Sequence, residues 1–200
     1  RINSTSGLIT TLACNVEGKP IYALEGSVFI GGAVIQWLRD EMQLISSASE
    51  SEEMALAVDH SNGVVIVPAF TGLGAPYWDM EARGIITGLT RGSNRNHIVR
   101  AALESIAFQV NDLLDSVSSD LDFSIPALQV DGGATANNFL MQFQSDILQM
   151  KINRPKNIES TALGAGMLAG IGSGFWSNLK QLTLTGSTYT EFKPSMETKT

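Results

Sequence analysis

The residues best suited to chemistry surround Asp131-Gly132-Gly133, in the stretch ALQVDGGATANN at residues 127–138. A short apolar run ends at these three residues, and apolar residues then recur at helical spacing from Phe139 to Phe143. The stretch therefore reads as a strand, a glycine turn and a helix. Paired glycines permit backbone angles and a close approach that a Cβ would block. The helix that follows points its first N–H groups toward whatever lies over the turn, which suits a nucleotide. A Gly-Gly turn between strand and helix also serves as a plain tight connection, its commoner use. The second candidate is Gly31-Gly32 with Gln36, within a helix expected from a cap at Ser27 to about Leu44. Each glycine inside a helix costs about 1 kcal/mol relative to alanine, and close approach of a backbone or ligand is the usual compensation. Gln36 falls on the face of Gly32 one turn further along, where its amide can bond a base or ribose. Packing through a small-residue notch beside an exposed Gln is the alternative.

Other reactive side chains carry less. Cys14 has no partner for an internal disulfide and belongs to no metal-ligand spacing, which fits a reducing, cytoplasmic setting and a small hydrophobe in a strand. His97 stands at the start of a long helix with no second ligand at metal spacing, and His60 lies in an exposed Asp-His-Ser-Asn turn. Thirteen basic against 20 acidic residues give a net charge of -7 with no basic patch, so a nucleic-acid backbone is repelled. No apolar run is long enough to span a bilayer, and the first residues show no basic segment followed by an apolar one of the kind a signal peptide has.

The elements that must position the candidates follow from pattern. Two hundred residues, 44% apolar and 16% charged with 19 glycines, describe a globular α/β chain able to bury roughly 70% of its extended surface. One domain over residues 1–200 is expected, with both ends cut from something longer and a loosely structured tail, strand or coil, over residues 183–200. Leu8–Ala13 and Ile21–Leu24 form a hairpin around a Gly- and Pro-containing turn. Ser51-Glu52-Glu53 opens a short acidic helix through Val58, and Val64–Val67 is a buried strand. Residues 68–79 mix glycine, proline and three aromatics, the composition of a structured functional loop. Gly72-Leu73-Gly74 opens no helix, so no dinucleotide fingerprint is present. Strand Ile85–Leu89 precedes the longest helix, capped at Ser93 or Asn94, in which ten apolar residues from Ile98 to Val117 keep the 3.6 period. Lys151–Asn153 is a short strand ended by Arg154-Pro155. Ser160 or Thr161 caps a helix through Ile171 whose face of Gly164, Ala165, Gly166, Ala169 and Gly170 must lie close against something. No repeat of 20 to 50 residues is present.

Five stretches resemble one family, the FGGY carbohydrate kinases. They are YALEGSVFIGGAVIQWLRDEM (22–42), VPAFTGLGAPYWDMEARG (67–84), GLTRGSNRNHIVRAALESIAFQ (88–109), VDGGATANNFLMQFQSDIL (130–148) and TALGAGMLAG (161–170). They cover most of the chain in the family's order, and Gly84 through Glu104 fits its second signature. The Ala-Pro-Tyr-Trp-Asp wording of residues 75–79 is more similar to members acting on glycerol than to those acting on xylulose or gluconate. The resemblance implies an actin-like ATPase domain of ribonuclease H-like fold, a mixed sheet flanked by helices, forming the nucleoside-binding C-terminal half of an enzyme that uses ATP and Mg2+. It implies cofactor-binding roles for Gly32, Gln36, Gly133, Ala134 and Asn137. Gln36 and Asn137 offer amide donors and acceptors of the kind that fix orientation. It also implies an N-terminal kinase domain as partner, glycerol as substrate of the full enzyme, and self-association of that enzyme.

In the family the general base, the substrate contacts and the phosphate loops lie outside the region matched here. Glu25, Asp79, Glu81, Glu104 and Asp131 are accordingly assigned no catalytic role and no metal, and Asp131 is expected to brace its own turn through nearby N–H groups. A kinase for another polyol or sugar, or a non-catalytic actin-like ATP-binding module, is the alternative.

Overall fold

The computed structural model describes residues 3–13, 20–121, 124–178, 181–182 and 188–196. The readings of Cys14 and of the hairpin turn at 15–19 lie outside the described residues. The chain divides into two compact units, Arg1–Ile125 and Pro126–Thr200.

In the first unit, strands β1 (Ile9–Ala13) and β2 (Ile21–Glu25) pair antiparallel as the turn residues predicted, with Ile9 opposite Glu25 and Ala13 opposite Ile21. The next helix is shorter than its apolar stripe suggested. Helix α1 runs from Ala33 to Asp40, and Gly31 and Gly32 stand before it instead of inside it. Their poor helix propensity is thereby avoided. The carbonyl of Gly31 accepts from Val34 N–H at 3.1 Å, that of Gly32 from Ile35 N–H at 3.1 Å, and Gly32 is the N-cap residue. The helix ends at Asp40, short of the expected Leu44, and beyond it Gln43 takes a left-handed φ of 52° that turns the chain away. Val34, Ile35 and Leu38 form the buried stripe of α1.

Helix α2 (Glu50–Leu56) carries Glu50, Glu52 and Glu53 in its first turn, where the helix dipole favours negative charge. Strands β3 (Val65–Val67) and β4 (Ile85–Thr87) pair antiparallel and bury only Ile66, leaving Val65, Val67 and Ile85 exposed. Helix α3 (Arg95–Asp120) is the core element that its periodicity predicted. Asn94 caps it by accepting from Asn96 and His97 N–H groups at 2.9 and 3.3 Å, and His97 Nδ1 accepts from Asn94 N–H at 3.1 Å. His97 is thus a helix-start residue, and this reciprocal pair is a capping box with histidine in the usual Glu position. Every residue from Ala101 to Ala107 is buried, so this segment is covered on all sides.

The loop at 68–84 is held by its own chain. Tyr77 donates to Asp112 of α3 at 2.8 Å, Trp78 Nε1 donates to Gly7 O at 2.7 Å, and Ala75 N–H donates to Ser27 O at 3.0 Å. Asp79 accepts from Glu81 and Ala82 N–H groups at 2.9 and 3.0 Å, a turn-bracing role.

At the other end of α3, Asp120 accepts from the hydroxyls of Ser4, Thr5 and Ser6 and from Thr5 N–H. These donors, the Ser4 hydroxyl foremost, hold its carboxyl down at about 2. A carboxylate depressed in the folded state contributes stability above its unfolded value near 3.8 and loses it as pH falls toward 2. Asp120→Asn is expected to flatten the pH dependence of urea stability between these limits. Equal slopes for the variant and the parent would contradict this.

In the second unit, β5 (Leu128–Gln129) pairs parallel with β6 (Ile152–Pro155), and β6 pairs antiparallel with β7 (Tyr189–Phe192). This small mixed sheet packs against helix α4 (Asn138–Leu148). Two expectations change here. Arg154 and Pro155 continue the strand instead of ending it. Within the Thr- and Ser-rich tail, β7 is an ordered strand, because β6 offers it a full antiparallel ladder from Ile152 opposite Phe192 to Pro155 opposite Tyr189. Asp146 of α4 also accepts from Ser195 and Met196 N–H groups at 2.6 and 3.2 Å, fastening the chain just past the strand.

Between β6 and β7 runs helix α5 (Ser160–Gly172), whose N-cap position is Glu159, with no side-chain capping bond, and not the expected Ser160 or Thr161. None of its residues is buried, and an added Cβ at Gly164 or Gly166 meets nothing within 4 Å. The close cover expected for its small-residue face is absent among the described residues, apart from Trp176 against Gly170.

Candidate nucleoside-binding site

The glycine turn has more structure than a plain connection. After β5 the chain enters Gly132, which adopts φ +84°, a conformation that only glycine takes without strain. A single 3-10 turn, Gly133–Ala136, then leads into α4. Thr135 is buried in this turn, its N–H donating to Gly132 O at 3.0 Å and its hydroxyl to the same oxygen at 2.7 Å. Gly132 N–H donates to Ile158 O at 2.8 Å. The turn is therefore closed from both sides while Gly133 and Ala134 remain exposed. A Cβ added at Gly132 or Gly133 meets no atom within 4 Å, so the space over the pair is open.

Asn137 caps α4, its Oδ1 accepting from Leu140 N–H at 2.9 Å. Its oxygen is committed to the helix. Asp131 does not brace its turn through N–H groups as expected; its carboxylate accepts from the hydroxyl of Ser160 at the start of α5. Ser160 is the first residue inside α5, one position past the N-cap.

In the first unit, Gly32 and Gln36 lie on one side of α1 as their spacing predicted, with Gln36 N–H approaching Gly32 O at 3.4 Å and the Gln36 side chain exposed. Gly32 occupies the N-cap position, without a side-chain capping bond. Of the five predicted residues, the structure brings Gly32 and Gln36 together in one unit and Gly133, Ala134 and Asn137 together in the other.

The model of the FGGY family of carbohydrate kinases, C-terminal domain, matches residues 1–173. The chain belongs to the FGGY carbohydrate kinase family. It is 60% identical over 194 residues to a glycerol kinase of Vibrio cholerae serotype O1, covering 97% of this chain and 38% of that protein. It is 56% identical over 196 residues to a glycerol kinase of Caldanaerobacter subterraneus, covering 98% of this chain and 39% of that protein. The chain thus spans well under half the length of these relatives. Among solved structures it resembles a Plasmodium falciparum glycerol kinase with ADP, at TM-score 0.84 and 42% identity, over 98% of this chain and 39% of that one. A xylulose kinase from Lactobacillus acidophilus matches at TM-score 0.76 and 24% identity, over 98% and 39% of the two chains, which shows the fold alone.

The fold class expected from the sequence, an α/β domain of the actin-like ATPase type, holds for this FGGY chain. No group of three or more metal-ligating side chains occurs among the described residues, and no helix among them is long and apolar enough to cross a membrane. The carboxylates left without catalytic roles have visible structural ones in three cases. Asp79 braces its loop, Glu104 pairs with Arg100 at 2.8 Å, and Asp131 binds Ser160. Sequence reasoning passed over Arg154, whose guanidinium reaches the glycine turn from β6. Its signal, an Arg two residues into a strand, has no meaning until the turn and the strand are placed side by side.

Proposed function

We propose that this chain is the nucleoside-binding, C-terminal domain of an ATP-dependent glycerol kinase, an enzyme that transfers the γ-phosphoryl group of ATP to glycerol. The observation that carries the reading is the open space over Gly132-Gly133, at a turn held rigid by Thr135, in a chain 42% identical to a glycerol kinase solved with ADP. Both units serve one domain over residues 1–200, a reading supported by the family model that runs through both. Gly32, Gln36, Gly133, Ala134 and Asn137 hold the nucleoside. Within the second unit Gly133 leaves open space over its turn, and within the first Gln36 offers an exposed amide. Asn137 keeps the first turn of α4 in register beneath the ligand.

When bound, Mg-ATP supplies the transferable phosphoryl group, with Mg2+ carried mainly by the phosphates. This chain positions the nucleoside end, and the reacting end belongs to an N-terminal partner domain that also holds glycerol. The complete enzyme is expected to be cytoplasmic and self-associating. A kinase acting on another polyol or sugar is the alternative, and its discriminating contacts lie in that partner domain.

Two assays test the proposal. The complete reading frame is expected to consume ATP in a glycerol-dependent manner; consumption driven by xylulose or gluconate and not by glycerol would overturn the substrate. The 200-residue chain alone is expected to turn over no glycerol, since positioning and electrostatic stabilisation of the phosphoryl group need the other half. It should still bind ADP weakly, with Kd on the order of millimolar, about -4 kcal/mol. Turnover by the chain alone would contradict the assignment of catalysis to the partner domain.

A further inference from the structure

Arg154 is the side chain outside the five predicted residues that is most closely engaged with the glycine turn. From β6 its Nη1 donates to Thr135 O at 2.6 Å and to Ala136 O at 3.3 Å, while Nη2 donates to Asn138 Oδ1 at 3.0 Å. One planar group thus holds three of the four residues that link the 3-10 turn to α4. Thr135 passes the constraint on, because its hydroxyl donates to Gly132 O. The guanidinium is itself held from β7, lying 5.1 Å from the centre of the Phe192 ring, a cation–π distance. In the ladder Arg154 is opposite Thr190, so Phe192 is its diagonal neighbour on the same face of the sheet.

We propose that Arg154 is a positioning residue for nucleoside binding, setting the 3-10 turn that presents Gly133, Ala134 and Asn137, and that β7 supports it through Phe192. This rests on the nucleoside reading of the turn given above. Guanidinium geometry is what the role requires. Two carbonyls and an amide oxygen sit around one flat donor array, which a lysine ammonium on a flexible stem does not reproduce. Three of the five guanidinium N–H donors go to the turn, so the role assigned to Arg154 is to position it and not to attract phosphate. Arg154→Lys is therefore predicted to impair the site although it preserves the charge.

The test is an amide nuclear magnetic resonance titration of the 200-residue chain with ADP and, separately, with adenosine, alongside urea unfolding of each variant. Arg154→Lys is expected to weaken both ligands by the same factor, about tenfold for the loss of one to two charge-assisted hydrogen bonds. In the free protein its amide shifts should be confined to residues 132–138 and the neighbouring strands. Phe192→Leu should give a smaller weakening in the same direction. A weakening seen with ADP and not with adenosine would show direct phosphate attraction and overturn the positioning role. A lower urea midpoint with unchanged affinity for both ligands would reduce Arg154 to a structural brace and also overturn it. Gly133→Val separates this inference from the one it rests on. If that variant keeps full ADP affinity, the nucleoside reading fails; if it loses affinity while Arg154→Lys does not, only the role of Arg154 fails.

Discussion

Gly133→Val is expected to abolish detectable ADP binding by this chain while leaving its fold intact. Two observations separate the effects. An added Cβ at Gly133 meets nothing within 4 Å, so the folded chain has room for the new side chain. Gly133 also lacks the positive φ of its neighbour, so valine introduces no left-handed strain there. What valine does occupy is the open space over the turn, where a nucleoside would sit. With an affinity of only about -4 kcal/mol to begin with, a displacement costing 2 kcal/mol or so pushes Kd roughly thirtyfold upward, beyond practical titration. Gly132→Val makes the contrast. At φ +84° a β-branched residue is strained whatever the space, so that variant should lose stability as well as binding. The pair is read by circular dichroism melting beside the ADP titration. A Gly133→Val chain that melts like the parent and still binds ADP would remove the turn from the site.

The second large effect concerns the core of the first unit. Arg100 and Glu104 pair at 2.8 Å on α3 with side chains only 15% and 11% exposed, and Arg100 also donates to Ala55 O at 3.2 Å and to Val58 O, at the end of α2. Removing the carboxylate takes the Glu104 charge away from beside a mostly buried guanidinium. Glu104→Ala is expected to cost about 3 kcal/mol, the usual range for breaking such a pair from one side, and Glu104→Gln distinctly less because an acceptor oxygen remains. Urea unfolding followed by tryptophan fluorescence reads both. Equal, small losses for the two variants would show that the pair contributes little. The exposed Arg39–Asp40 pair serves as a control and should change stability immeasurably.

How far the sequence discloses these features depends on the range of the interactions behind them. Helix α3 was legible to within a few residues because ten apolar positions at one period and a local Asn94–His97 cap specify it without outside help. The stripe preceding Trp37 misled at its start. Phe29 and Ile30 fit the helical period, but Gly31-Gly32 stops the helix, and only the backbone shows which signal prevails. Strand β7 was expected only as loose strand or coil, since Tyr189–Phe192 shows weak alternation and gains its order from a ladder with residues some 35 positions earlier. The pattern of Gly164, Ala165, Gly166, Ala169 and Gly170 specifies the smooth face of helix α5, but what faces it is not a local property. The five residues proposed for the nucleoside come from glycine pairs, helix spacing and family resemblance. The residue proposed to set their geometry, Arg154, was not legible, because three hydrogen bonds across 16 to 19 positions leave no periodic trace.

The most direct test of the central claim is an amide titration of this chain with ADP. The account predicts saturable shifts at Gly32, Gln36, Gly133, Ala134 and Asn137, with the capping amide of Leu140 following Asn137. Shifts clustered elsewhere, with these five amides silent at saturating ADP, would contradict it.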